Sequence, residues 1–372
     1  MEIPIFTPVR QYLNLKEEID NVIQKILNRG DFILGEEVKE FEQSVARYLG
    51  VKHAIGVASG TDALQIALMA IGLKPGDEVI TTPFTFVATA ETIVLLGGKP
   101  VYVDIDERTY NINPELIEER ITEKTKAIIP VHLYGQPAEM EKILDIARRY
   151  NLYVIEDSAQ AFGAEYKGRK VCTFGDIACI SFFPTKNLGA FGDAGMVVTN
   201  SDDLAEKIRM IRVHGSKKRY HHELLGVNSR LDTLQAGILL VKLKYVDEWN
   251  KRRIEIANRY SNALKDIDSI VTPYAEPYNK HIYHQFTIRT NRRDELIEFL
   301  KGRGIQTAVH YPIPLHLQKA FSYFGYKEGD FPIAEKCSRE VLSLPMFPEL
   351  RDDEVDYVIG SIVDFSKIKV ER

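Results

Sequence analysis

The sequence predicts an α/β protein. A large domain is built on a mainly parallel, seven-stranded sheet flanked by helices, and a smaller α+β domain follows it. Three observations carry this expectation. Seven apolar, β-branched runs fill the first two thirds of the chain, at 53–59, 78–86, 100–106, 127–134, 153–158, 177–183 and 195–199. Several are almost continuously apolar, as strands covered on both faces must be. Segments of helical periodicity separate them, and repeated strand–helix units close most simply as parallel crossovers.

The elements follow in order. Ala63 to Ile71 reads as an apolar helix begun by Thr61-Asp62 and stopped by Gly72. Met140, Ile143, Leu144, Ala147 and Tyr150 recur at helical spacing, one face of an amphipathic helix. From Arg230 to about Lys265 the spacing of Leu231, Leu234, Ile238 and Val241 predicts one long helical region. Beyond it the alternation is on a smaller scale: a strand at 283–290, a helix near 294–302, a strand at 306–310, then helices at 334–342 and 352–363. The domain boundary is placed inside the long helix, near Trp249–Lys251, giving domains 1–250 and 251–372. No Ser/Gly linker or low-complexity tract separates them, which predicts firm packing between the two.

Length and composition agree. At 372 residues the chain is long enough for two or three domains, and its 45% hydrophobic content is that of a globular protein. The formal charge of −5 offers no general attraction to nucleic acid or to an anionic membrane. Cys172, Cys179 and Cys337 are too few and too scattered for a disulfide framework or a zinc site, so reduced thiols in a cytoplasmic protein are expected. No metal is expected: adjacent His221 and His222 lack further ligands. The N-terminus lacks the apolar core of a signal peptide, and no apolar run is long enough to span a bilayer.

Four motifs bear on chemistry. In the segment from Ser181 to Gly195, Lys186 leaves an apolar strand and enters a glycine-rich turn. A lysine so placed points into a cleft, where desolvation makes its amine a nucleophile toward aldehydes. Its glycines run G-x-x-G-x-x-G, which fits neither the dinucleotide fingerprint nor the phosphate loop. Asp157 ends the strand at 153–158, where open α/β sheets place ligands. It can pair with a pyridinium nitrogen or simply cap a helix. Ser59-Gly60-Thr61 joins a strand to a helix, so it can cradle an anion on free N–H groups, and Thr61 can also cap that helix. Phe86, in the segment 83–89, is either a core residue or a platform for a heteroaromatic ring. Taken together, an anion cradle, an aromatic platform, a carboxylate and a cleft lysine specify a pyridoxal phosphate site.

With these motifs, the chain resembles the DegT/StrS family of fold-type I, pyridoxal 5′-phosphate-dependent nucleotide-sugar aminotransferases. The resemblance also rests on Tyr102-Val103-Asp104-Ile105-Asp106, on the segment 130–135, on Glu156 to Gln160, and on Gly226 to Asp232. It implies roles residue by residue. Lys186 would carry the cofactor and shuttle the proton, Asp157 would pair with the pyridine nitrogen, and Gln160 would reach the ring hydroxyl. Phe86 would stack on the ring, while Gly60, Thr61 and Ser181 would hold the phosphate. Asn228 would reach the phosphate of a neighbouring subunit, so a homodimer with shared active sites is implied. Arg230, His310 and Tyr311 would contact the sugar.

The same resemblance implies an aminotransferase that moves the amino group of L-glutamate to C3 of a nucleotide-linked 3-oxo-sugar, for polysaccharide or glycan biosynthesis. The family's sugar dehydratases carry histidine where this chain has Lys186. Members that aminate C4 tend to show Gly-Glu-Gly-Gly where this chain has Gly192-Asp193-Ala194-Gly195. The segments 220–240 and 308–316 look like those of enzymes acting on a UDP-linked 2-acetamido-3-oxo-glucuronate, slightly more than like those acting on dTDP-linked 3-oxo-6-deoxyhexoses. C4 amination, sugar dehydration and a non-catalytic regulatory role are the alternatives.

Overall fold

The structure, a computed structural model, describes residues 1–368. Each of the seven apolar runs contributes one strand to a single sheet. In chain order these are β1 His53–Val57, β2 Glu78–Thr81, β3 Lys99–Tyr102, β4 Thr125–Ile128, β5 Tyr153–Asp157, β6 Ile177–Ser181 and β7 Gly195–Thr199. Their spatial order is β1-β7-β6-β5-β4-β2-β3, parallel throughout except for β7, which runs against both neighbours. Apart from β7, the strands stop short of the carboxyl ends of their apolar runs. Residues such as Ser59, Phe86 and Ser158 therefore lie in the loops that leave the sheet, at one common edge.

Among the described residues, twelve α-helices surround and extend this sheet. They are α1 Val9–Asn14, α2 Lys16–Arg29, α3 Glu36–Leu49, α4 Gly60–Ala70, α5 Ala88–Leu95, α6 Met140–Tyr150, α7 Asp202–Ile211, α8 Thr233–Leu243, α9 Val246–Leu264, α10 Arg293–Gly302, α11 Pro332–Glu340 and α12 Asp352–Ser366. Phe41, Val45, Phe182 and Leu239 fill the core on one side of the sheet, and Ile66, Leu68, Ile93 and Ile208 fill it on the other. Burial on both faces explains why the strand runs lack alternation.

Three expectations change. The long helical region from Arg230 to Lys265 is two helices, α8 and α9, broken at Lys244–Tyr245. No Gly or Pro marks the break; apolar α8 packs against α2 and α3, whereas polar α9 packs against α12. The segment 306–310 forms no strand, only an isolated bridge between Ala308 and Ser343. The helix expected at 334–342 ends at Glu340, because Val341–Leu344 turns to pair with Phe286–Arg289 as an antiparallel two-stranded sheet. Burial of Val341 and Leu342 against that partner outweighs their continuation of the helical pattern.

The C-terminal core gathers Tyr260, Phe286, Leu296, Phe347 and Val358, and Ile3 from the chain's start joins it. Ile3 is held there by Ile3 N–H to Gly304 O at 2.8 Å and Gln306 N–H to Ile3 O at 2.9 Å. A second contact docks this part of the chain beside the sheet edge. Leu315 N–H donates to Pro83 O at 2.7 Å, and Leu315, Phe321 and Phe331 pack with Phe84 and Tyr102. Both oxygens of Asp104 cap the start of α11, accepting from Ile333 and Ala334 N–H at 2.9 Å. Among the described residues no helix is long and apolar enough to cross a membrane.

Candidate active site

A cavity of about 470 Å³ opens at the carboxyl edge of the sheet. It brings together Gly60, Thr61, Phe86, Asp157, Gln160, Ser181 and Lys186, with His310 and Tyr311 arriving from the C-terminal part of the chain. Asn228 and Arg230 do not line it. They run along the outer end of β1, where Asn228 is exposed and bridges Val213, and where Ser229 Oγ accepts from Ala58 N–H at 3.1 Å.

The floor is set by close backbone approach. A Cβ on Gly60 would stand 2.7 Å from Ser181 Cβ, and one on Gly195 would stand 2.3 Å from the Ser59 carbonyl. Because β7 is antiparallel, Gly195 begins its strand at the same edge where β1 and β6 end, opposite Val57 and Ser181. Glycine at both places lets the start of α4 sit directly on the sheet edge. Ser59 is the N-cap, its Oγ accepting from Asp62 N–H at 3.0 Å, and Ala63 N–H donates to Ser59 O at 3.0 Å. Thr61 is thus inside the helix rather than its cap. The N–H groups of Gly60 and Thr61 have no acceptor among the described residues. With the Thr61 and Ser181 side chains, which line the same cavity, they could receive an anion at a positive helix end.

Asp157 is 5% exposed and caps no helix. One oxygen accepts from Thr89 Oγ1 at 2.8 Å and the other from Ala159 N–H at 3.2 Å. Burial pushes its carboxyl above the usual range, while these two donors, Lys186 and His132 pull it down. Lys186 N–H closes a turn onto Phe183 O at 2.8 Å. Its amine, enclosed by the cavity, is lowered to about 8 by desolvation, which Asp157 partly opposes. Phe86 is 53% exposed on the cavity wall, so it is not a core residue and its ring is open to the cavity. Gln160 is held at both ends: Oε1 accepts from Tyr134 N–H at 2.7 Å and Nε2 donates to the Tyr311 hydroxyl at 3.0 Å.

These residues fit pyridoxal phosphate. A buried carboxylate facing the cavity with only two neutral donors wants a cation, which a protonated ring nitrogen supplies. The cradle suits the phosphate, Phe86 offers a flat face, and an amine with a pKa near 8 is a competent partner for an aldehyde.

The sequence motifs did not assign Thr89, which holds Asp157 from 68 residues away. Nor did they assign His284, which lines the cavity and whose imidazole burial drives well below its ordinary range. Thr89 lies inside the segment 83–89, but its hydrogen bond depends on the tertiary fold. His284 lay at the start of an expected strand, where a lone buried histidine carries no local signal.

Known proteins resemble this chain over nearly its whole length. A model of the DegT/DnrJ/EryC1/StrS aminotransferase family matches residues 13–363. A "pleiotropic regulatory protein" of Geobacillus stearothermophilus is 54% identical over 98% of this chain and 99% of its own length. A UDP-2-acetamido-2-deoxy-3-oxo-D-glucuronate aminotransferase of Pseudomonas aeruginosa is 49% identical over 95% of this chain and 98% of its own. The crystal structure of Streptomyces venezuelae DesV, solved in complex with a ketimine intermediate, superposes with a TM-score of 0.97. It is 42% identical, covering 99% of this chain and all of that one.

Proposed function

The chain belongs to the DegT/DnrJ/EryC1/StrS aminotransferase family and is a pyridoxal-phosphate-dependent enzyme, and on that premise we propose its reaction. It transfers the amino group of L-glutamate to C3 of a nucleotide-linked 3-oxo-sugar, with a UDP-linked 2-acetamido-3-oxo-glucuronate ahead of a dTDP-linked 3-oxo-6-deoxyhexose. The single observation that carries the catalytic reading is the juxtaposition of buried Asp157, the desolvated Lys186 amine and the open start of α4 in one cavity. The named activity of the Pseudomonas relative supports the sugar. The relative with a regulatory name does not favour a non-catalytic role, because this chain keeps every element of the constellation.

When bound, the cofactor supplies an electron sink that stabilises the carbanion left by removal of the α-proton. The chain's residues do the rest. Lys186 Nζ holds the cofactor at rest. Released from it, with a pKa near 8, it is neutral often enough at physiological pH to take the α-proton of glutamate and protonated often enough to return one. Asp157, fixed by Thr89 and Ala159, holds a proton on the ring nitrogen without reorganising. The Gly60 and Thr61 amides, with Ser181, would bind the phosphate, and Phe86 would offer the ring a flat face. His310 and Tyr311 place C-terminal groups against the sugar, while exposed Asn228 reaches the partner subunit of a homodimer.

Incubation with glutamate and a panel of UDP- and dTDP-linked 3-oxo and 4-oxo sugars tests this reading. Appearance of 2-oxoglutarate together with a 3-amino sugar is expected. Amination confined to C4, or loss of water without amination, overturns it.

A further inference from the structure

Immediately after Lys186, Asn187 is buried and links the lysine's turn to His284, a histidine of the cavity wall. Its place in a chain of hydrogen bonds is fixed from one end. Asn250 of α9, fully buried, directs its amide toward Phe162 O at 3.1 Å; a carbonyl only accepts, so this atom is Nδ2. Asn250 Oδ1 therefore faces Asn187 and accepts from Asn187 Nδ2 at 2.7 Å. That leaves Asn187 Oδ1, an acceptor, 3.1 Å from His284 Nδ1, so the proton is on Nδ1. His284 Nε2 has no protein partner among the described residues and belongs to a ring that lines the cavity with Lys186. The backbone beneath is also pinned, since Arg253 donates to Tyr283 O at 3.3 Å and His284 O at 3.2 Å.

We propose that Asn187, oriented by Asn250, is a positioning residue that fixes His284 as its Nδ1–H tautomer, so that Nε2 stands in the cavity as an acceptor for the Lys186 amine. The inference rests on Lys186 being the cofactor-bearing lysine. The charged or titratable groups acting on His284 are Lys186, Arg253 and His310, and Asp157 acts on Lys186. All three neighbours of His284 disfavour an imidazolium, and burial does so more strongly. A neutral acceptor steadies the ammonium form of Lys186; an imidazolium in its place would repel it. The chain from Phe162 O to Nε2 thus selects the useful tautomer without any charged partner for the ring.

The test uses the cofactor-loaded enzyme labelled with ¹⁵N in its histidines. In the wild type, His284 should give the correlation pattern of an Nδ1-protonated, Nε2-unprotonated ring across pH 6 to 8. Asn187→Leu should lose that pattern. It should also move the acid limb of kcat to lower pH by about half a unit or more, because the amine loses its acceptor. Asn187→Asp, which keeps an acceptor on Nδ1–H, should restore the tautomer and hold or raise the acid limb. A wild-type His284 protonated on Nε2 overturns the proposal outright. So does an Asn187→Leu enzyme with unchanged tautomer and unchanged acid limb. Failure of the underlying reading looks different: Lys186→Ala would then keep the visible cofactor band and turnover, whatever the His284 spectrum shows.

Discussion

Glu156 and Asp157 are consecutive residues at the end of one strand, both buried, and they face opposite sides of it. Glu156 is saturated. It accepts from Cys172, Phe174 and Gly175 N–H at 2.9, 2.7 and 2.8 Å. His132 completes it: Nδ1 takes the Ala138 N–H at 3.0 Å, so Nε2–H donates to Glu156 at 3.1 Å. Asp157 has two donors and faces the cavity. The contrast teaches how to tell a carboxylate that holds the fold from one kept available for a ligand. Sequence type and burial are alike; the number of donors and the presence of open space differ.

The largest effects should come from the cavity side. Lys186→Ala is expected to abolish turnover, together with the visible band of the linked cofactor. Asp157→Ala should lower the transamination rate by roughly 10³-fold, the scale of a preorganised electrostatic group, with the melting temperature unchanged or raised. A folded Asp157→Ala enzyme with near-normal rate would remove the distinction between the two carboxylates. On the other side, Glu156→Ala should cost roughly 3–5 kcal/mol, because three N–H groups and an imidazole lose their acceptor in the dry interior. Denaturant unfolding reads this directly. If Glu156→Ala were fully stable but inactive, the assignment of the two faces would be reversed.

Two lysines repeat the comparison. Lys186 and Lys242 are both lowered to about 8 by desolvation, yet only Lys186 lines the cavity. Lys242 is 1% exposed in α8, and its amine donates to Gly189 O in the Lys186 loop. Its folded pKa lies below the ordinary 10.5 of a lysine, so the protonated form is penalised in the folded state. That penalty is fully present below pH 8 and is relieved as pH rises toward 10.5. Stability of the wild type relative to Lys242→Met should therefore increase by roughly 3 kcal/mol over that range. A flat difference across the range would show that the Lys242 amine is solvated in the folded protein.

Much of this is legible in the amino-acid sequence. Continuous apolar runs located all seven strands, because a strand buried on two faces has no choice of composition. Lys186, Asp157 and the Ser59–Thr61 turn stood out because their residue types are costly where the pattern placed them. What escaped was tertiary. Thr89 and His284 matter only through what the fold brings beside them. The break at Lys244–Tyr245 has no breaker residue, and Val341–Leu342 switched from helix to strand through a partner at 286–289. Phe86 had two readings that only its exposure could separate.

Asp104 makes the subtlest case, a carboxylate that neither knits the sheet nor meets the ligand. It leaves the end of β3 and caps α11, joining the C-terminal part of the chain to the edge where the cavity opens. The same part carries the segment from His310 and Tyr311 through Leu315, whose N–H is bound to Pro83 O three residues before Phe86. Asp104→Ala leaves two helix-start N–H groups without their carboxylate and should cost about 1 kcal/mol. Most of that loss should fall on the contact between the α11 region and the sheet edge, because the core on both sides of the sheet is untouched. The substitution should therefore raise KM for the sugar more than it lowers kcat, with only a small drop in melting temperature. Measuring both constants beside Asp157→Ala decides the matter. A fall in kcat with KM unchanged would mean that Asp104 acts on the chemistry itself, and would place it with Asp157 rather than between the two carboxylates of β5.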